Sequence, residues 1–180
     1  MTLITGPWSS GKTFTLCVLA NELNQTGLNV VSLEDPIEYE LPGVTQTQVS
    51  PHHGITFASG MRAILRQDPD IIILGEIQDL EEATIASDAC LQGRHRVVAG
   101  LHTSTVIAGF RWLIDAGLRP DVIASIVSGM VIQRLVNRIC KHCAENVSLS
   151  AKLVEAVGFP IPPTGPWMKG RGCEKCNDSG

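Results

Sequence analysis

The chain has 180 residues, of which 44% are hydrophobic and 18% charged, and its formal net charge is −4. That length suits one ordinary domain with a small appendage, and the composition supports a buried core and excludes wholesale disorder. The mild acidity and the lack of a basic stripe argue against nucleic acid as a partner and against direct adhesion to a membrane.

Leu3-Ile4-Thr5 reads as a short apolar strand, and Gly6-Pro7-Trp8-Ser9-Ser10-Gly11-Lys12-Thr13 follows it. The second segment fits G-x-x-x-x-G-K-[ST], a loop that cradles phosphate. Gly6 and Gly11 permit the tight curl of a loop that includes Pro7, and its successive backbone N–H groups, those of Ser9 and Ser10 among them, converge on phosphate oxygens. Lys12 adds a positive charge for the β- and γ-phosphates, and the Thr13 hydroxyl can ligate Mg²⁺. Residues 13–25 carry Leu16, Leu19, Ala20 and Leu23 at helical spacing. They predict a helix ended at Gly27, whose N-terminal dipole adds to the anion site.

Residues 29–33 predict a second strand, followed by Glu34-Asp35-Pro36-Ile37-Glu38. Residues 40–54 read as irregular, with Pro42-Gly43 and Pro51 as turn signals. Residues 56–67 predict a helix with Phe57, Met61, Ile64 and Leu65 on one face, stopped by Asp68-Pro69-Asp70. Ile71-Ile72-Ile73-Leu74 is a continuous apolar run, the pattern of a strand covered on both faces, and Gly75-Glu76 follows it. Residues 79–91 predict a helix closed by Gly93, and residues 97–101 another strand, ending before His102. Residues 106–116 predict a helix ended at Gly117, and residues 121–138 the last long helix. Its apolar stretch, residues 122–132, is too short to span a bilayer and reads as a buried helix.

This alternation predicts an α/β fold with a mainly parallel sheet. Ligands in such sheets bind outside the carboxyl ends of the strands, where the acids stand. Glu76 can act there on Mg²⁺ or its bound water. Glu34 and Asp35 either polarise an attacking water or only hold their loop. His102 either touches a γ-phosphate or is a structural histidine.

Beyond Cys140 the apolar periodicity fades and four prolines (Pro160, Pro162, Pro163, Pro166) cluster, which places a boundary near residue 139. Four of the six cysteines fall in two C-x-x-C pairs, Cys140/Cys143 and Cys173/Cys176. Four thiolates complete a tetrahedral Zn²⁺ site, and a segment with so few apolar side chains needs such a staple. A redox pair or unliganded thiols are the competing readings. Cys17 and Cys90 lie on apolar helical faces and read as core thiols. No secretory signal precedes the first strand, and a phosphate-binding loop beside unpaired thiols points to the cytoplasm.

In order, these segments resemble the ATPases of type II secretion and type IV pilus assembly. The resemblance rests on Gly6–Thr13, on Glu34-Asp35-Pro36-Ile37-Glu38 as an aspartate box, and on residues 65–76 as a Walker B region. Leu101-His102-Thr103 as a histidine box and Gln133-Arg134-Leu135-Val136 complete it. It implies a RecA-like P-loop NTPase core over residues 1–139 and a zinc-binding module over residues 140–180. It also implies ATP and Mg²⁺ at the loop, Glu38 as the water-activating acid, Glu76 as the Walker B acid and His102 as a phosphate sensor. A homo-hexameric ring, an inner-membrane platform protein as partner, and a cytoplasmic site peripheral to that membrane are implied as well. The tetracysteine module points to the assembly or export branch.

Three departures stand out. Trp8 replaces a small residue of the loop, Gln78 stands where the family has arginine, and the histidine box continues Ser104-Thr105-Val106. The chain also starts at the first strand, so the family's N-terminal domain and C-terminal end are expected to be missing, as in a gene fragment or a shortened relative. The alternative function is a catalytically impaired module that binds nucleotide and zinc. A DNA-translocating ATPase is the more distant rival, disfavoured by the acidic charge balance.

Overall fold

Strand β1 (Thr2–Thr5) runs into the glycine-rich loop and helix α1 (Lys12–Leu23). The structure, a computed structural model, describes residues 1–25, 27–92, 95–158 and 167–180. Two compact units emerge, Met1–Leu135 and Val136–Gly180.

In the first unit β2 (Val30–Glu34) and β3 (Thr45–Gln48) precede α2 (Phe57–Leu65). Then come β4 (Ile71–Ile77), α3 (Leu80–Leu91), β5 (Arg96–Leu101), α4 (Val106–Asp115), α5 (Pro120–Ile126) and β6 (Gly129–Ile132). The six strands form one sheet in the order β3-β2-β4-β5-β1-β6, and each neighbouring pair is parallel. All carboxyl ends therefore share one edge, which is what gathers the site.

Alternation along the strands explains the two layers. Leu3, Val31, Leu33, Ile72, Leu74, Val97 and Ala99 pack in one core with Met61 and Ile64 of α2, Ala83 and Ala86 of α3, Leu113 of α4 and Ile123 of α5. Ile4, Val30, Ile71, Ile73 and Val98 point the other way, under Leu16 and Ala20 of α1. Helix starts follow capping chemistry: Thr56, Asp79 and Thr105 accept the backbone N–H groups of Ser59, Glu82 and Ala108.

The structure corrects two expectations. Residues 40–54 are not wholly irregular, because Thr45–Gln48 adds a parallel edge strand to β2. Its Thr-Gln-Thr-Gln side chains lie on a half-exposed margin, so no apolar alternation announces it. Nor do residues 121–138 form one helix. The helix stops at Ile126, Gly129–Ile132 pairs with β1, and residues 133–140 continue without regular structure. The free edge of β1 offers Val131 and Ile132 a full ladder of backbone hydrogen bonds, and β-branched residues suit it. The apolar stretch 122–132 is thus half helix and half strand. Gly93 and the four prolines between residues 160 and 166 lie outside the described residues.

The second unit contains β7 (Ala144–Asn146) paired antiparallel with β8 (Met168–Gly170), and the short helix α6 (Ala151–Val157) capped by Ser150. No helix among the described residues is long and apolar enough to cross a membrane.

Candidate functional site

A cleft of about 410 Å³ opens at the carboxyl edge of the sheet in the first unit. Its floor is the loop between β1 and α1. Gly11, the N-cap of α1, adopts φ 84°, a left-handed conformation that an L side chain resists, and this turn aims the first amides of the helix into the cleft. Lys12 folds back over the loop, its Nζ donating to the carbonyls of Gly6 (3.2 Å) and Pro7 (3.4 Å). The same ammonium lies 3.6 Å from Oε1 of Glu76. The Thr13 hydroxyl donates to Glu38 Oε1 at 3.4 Å, so the loop reaches the acidic segment after β2.

Polar atoms here are left unpaired. Thr5 Oγ1 and Ser10 Oγ are buried without a hydrogen-bond partner among the described residues, and buried Glu76 Oε1 has only the Lys12 ammonium at ion-pair distance. Buried polar atoms left short of partners cost free energy, and their gathering around one loop marks a place shaped for a polar ligand. The charge balance is unusual for an anion site. Five carboxylates (Glu34, Asp35, Glu38, Glu76, Glu82) line the cleft and Lys12 is its one cation among the described residues. A polyphosphate needs a divalent cation there, and Thr13 beside Glu38 offers the oxygen donors Mg²⁺ prefers. Burial pushes the Glu82 carboxyl above its usual range against the Gln78 N–H it accepts, with Asp79, Asp35 and Glu81 adding to the rise.

The remaining predicted residues are placed as follows. Glu34 is buried, and its Oε1 accepts from Ser32 Oγ (2.5 Å) and Gln46 Nε2 (2.9 Å), so it ties β2 to β3. Pro7 and Gly6 meet Lys12 through their carbonyls, while Ser9, Ser10 and Gly11 line the cleft. His102 follows β5 on the correct edge but is exposed and does not line the cleft. Its ring packs against Trp8 in a tilted arrangement, with centroids 4.7 Å apart and planes at 39°.

In the second unit the four thiol sulfurs of Cys140, Cys143, Cys173 and Cys176 lie within 4.8 Å of one another. Three of the separations are 4.0 Å (Cys140–Cys173), 3.9 Å (Cys143–Cys176) and 3.7 Å (Cys173–Cys176). Tetrahedral Zn²⁺ with Zn–S near 2.3 Å demands sulfur separations of about 3.8 Å. The observed set fits that geometry and is far from disulfide bonding distance. Burial opposes the Cys176 thiolate, but the N–H groups of Cys173 and Gly180 and the neighbouring thiols outweigh it and bring the group down to about 6. Burial together with the other three thiols pushes Cys143 up to about 11 against the Gly172 N–H.

Residues 1–180 match the family described as type II/IV secretion system protein. The chain belongs to this family. It is 43% identical over 180 residues to the type IV pilus assembly ATPase PilB of Thermus thermophilus, covering 99% of this chain and 20% of that protein. It is 43% identical over 178 residues to the type II secretion system protein E of Aeromonas hydrophila, covering 99% and 35%. Among solved structures it resembles the pilus retraction motor PilT with bound ADP, with a TM-score of 0.67 and 35% identity over 75% of this chain and 42% of that one. The chain therefore spans between a fifth and about a third of these curated relatives.

Within this secretion-system family member, sequence reasoning missed the brace that holds the loop. Gln133, just past β6, donates Nε2–H to the Ser10 carbonyl (2.8 Å) and accepts from the Thr15 hydroxyl (2.7 Å), while its own N–H bonds Thr5 O. Its segment matched the family pattern, but a predicted helix there hid its contact with the loop. Gln46 and Gln48 were missed too. Gln48 accepts the Ile37 N–H, and Gln46 binds Glu34, Tyr39 O and the Leu41 N–H, so both fix the loop that carries Glu38. Arg134 donates to Ser104 O and fixes the segment after His102.

Proposed function

We propose that this chain is the nucleotide-binding motor portion of an ATPase that drives type II secretion or type IV pilus assembly, hydrolysing ATP to ADP and phosphate. The observation that carries the proposal is the convergence of Lys12, Thr13, Glu38 and Glu76 on one cleft beside the phosphate-type loop.

Each residue has a role that follows from its place. The loop amides and Lys12 hold the phosphates, and Lys12 exchanges its carbonyl and Glu76 partners for phosphate oxygens. Thr13 and Glu38 would hold Mg²⁺, which would supply positive charge to offset that of the phosphates. Glu38 is the base for the attacking water, kept in reach by the Thr13 contact and by the Gln46–Gln48 support beneath its loop. Glu76 orients the water shell, and His102 senses the γ-phosphate. The cysteine cluster holds structural Zn²⁺ and closes a unit with a sparse core; residues 1–139 and 140–180 serve as ATPase core and zinc module respectively.

A second reading is favoured by one observation. With Lys12 the one cation lining the cleft among the described residues, the charge spread over a phosphoryl transition state lacks an arginine. Such an arginine is worth about 10³–10⁵ in rate where it has been removed. Alone, then, the chain binds nucleotide and turns over slowly. In a homo-hexameric ring a neighbouring subunit supplies the charge, and an inner-membrane platform protein receives the motion at the cytoplasmic face. Titration of ATP into the parent and into Lys12→Ala tests the core claim. Equal affinity for the two proteins would overturn it.

A further inference from the structure

Trp8 does not stand in the loop for the sake of the core, because its side chain is 76% exposed. Its ring has two described partners: the His102 imidazole at 4.7 Å and the Lys12 ammonium, 5.9 Å from its centroid. Trp8 lines the cleft and His102 does not. The indole therefore touches both the imidazole outside the cleft and the cation that marks the phosphate position. We infer that Trp8 is a specificity-determining residue: packed against His102, it holds that ring outside the cleft and weakens the site's preference for nucleoside triphosphate over diphosphate.

The inference rests on the nucleotide reading of the cleft and adds a physical consequence to it. Loop amides wrap the α- and β-phosphates, and the lysine reaches the β and γ positions. A diphosphate ends at Lys12 and leaves the ring pair whole. A third phosphate projects past Lys12 onto the indole and meets His102 only once the two rings part. Separating them forfeits one aromatic contact, so triphosphate affinity carries that cost while diphosphate affinity does not. Because the indole is exposed, it is free to swing away without disturbing packed side chains.

The test is calorimetric titration of ADP and of a non-hydrolysable ATP analogue, both with Mg²⁺, into the parent, Trp8→Ala, Trp8→Phe, His102→Ala and the Trp8→Ala/His102→Ala double variant. Trp8→Ala is expected to raise the triphosphate-to-diphosphate affinity ratio roughly 2- to 10-fold, the worth of one aromatic pair. Trp8→Phe, which keeps a ring on His102, is expected to hold the parent ratio, and the gain is expected to vanish in the double variant. An equal change for both nucleotides on Trp8→Ala, or a gain that survives without His102, overturns the inference while leaving the cleft a nucleotide site. Failure of every protein to bind either nucleotide overturns both.

Discussion

Gly100 on β5 faces Gly75 on β4 so closely that a Cβ on Gly100 would lie 2.2 Å from the Gly75 carbonyl oxygen. The β4–β5 register shifts between Leu74 and Ile77, the stretch that carries Glu76. Irregularities of this kind re-aim a side chain at the end of a strand. Gly100 gives the shifted backbone its room, and the shift presents Glu76 to Lys12. Gly100→Ala is therefore expected to cost about 1–3 kcal/mol, the range for forcing atoms into a filled interior. Urea denaturation measures it; a midpoint unchanged from the parent would show that β4 and β5 part without penalty.

Gln133→Ala removes one donor and one acceptor from the underside of the phosphate loop. The expected result is a folded protein whose nucleotide affinity falls about ten-fold, the equivalent of one buried hydrogen bond of about 1.4 kcal/mol. Gln133→Glu keeps the acceptor for Thr15 and loses the donor to Ser10, so it is expected to lose nearly as much. Circular dichroism confirms the fold, and calorimetry reads the affinity.

Glu76→Gln separates binding from turnover. Neutralising the acid 3.6 Å from Lys12 leaves the ammonium freer for phosphate, so affinity for ATP is expected to hold or rise. Phosphate release is expected to fall about 100-fold, the cost of misplacing a reacting water by about an ångström. Steady-state phosphate release beside a binding titration gives both numbers, and turnover equal to the parent's would remove Glu76 from the reaction.

The cysteine cluster predicts one zinc per chain, lost in Cys140→Ser and under strong chelation, as metal analysis of the purified protein reports. Metal retention is expected to weaken on acidification. Zinc takes thiolates, so protons compete with it. Cys176 remains a thiolate down to about 6 and is protonated below that, whereas Cys143, up near 11, must release a proton on binding at any neutral pH. The fall in affinity should therefore steepen as the pH passes below about 6. Retention independent of pH would point away from four thiolate ligands.

Much of the fold was legible because its strands and helices carry opposite periodicities. Ile71-Ile72-Ile73-Leu74, short and bounded by Pro69 and Gly75, has the pattern of a strand covered on both faces, and α1 and α2 show apolar residues three and four apart. The loop and its lysine followed from motif spacing, the acids after the strands from the strand pattern, and the part given to Glu38 from the family resemblance. What escaped was set by backbone pairing rather than by side-chain pattern. Thr45–Gln48 is polar throughout and joins the sheet through β2. Residues 122–132 are apolar throughout, and a continuous run does not reveal where helix yields to strand. His102 reached the predicted edge, but its turn toward Trp8 depends on a contact between separate loops that no local pattern encodes.

Strand β6 is only four residues long, and Gln133 follows immediately at its end. Side chains alternate faces along a strand, so slipping the pairing by one residue reverses every one of them. Deleting a single residue between Val127 and Ile132 would swing the amide of Gln133 to the far side of the sheet. The phosphate loop would be disarmed with its own eight residues intact, which makes this inconspicuous margin as intolerant of length change as the loop itself.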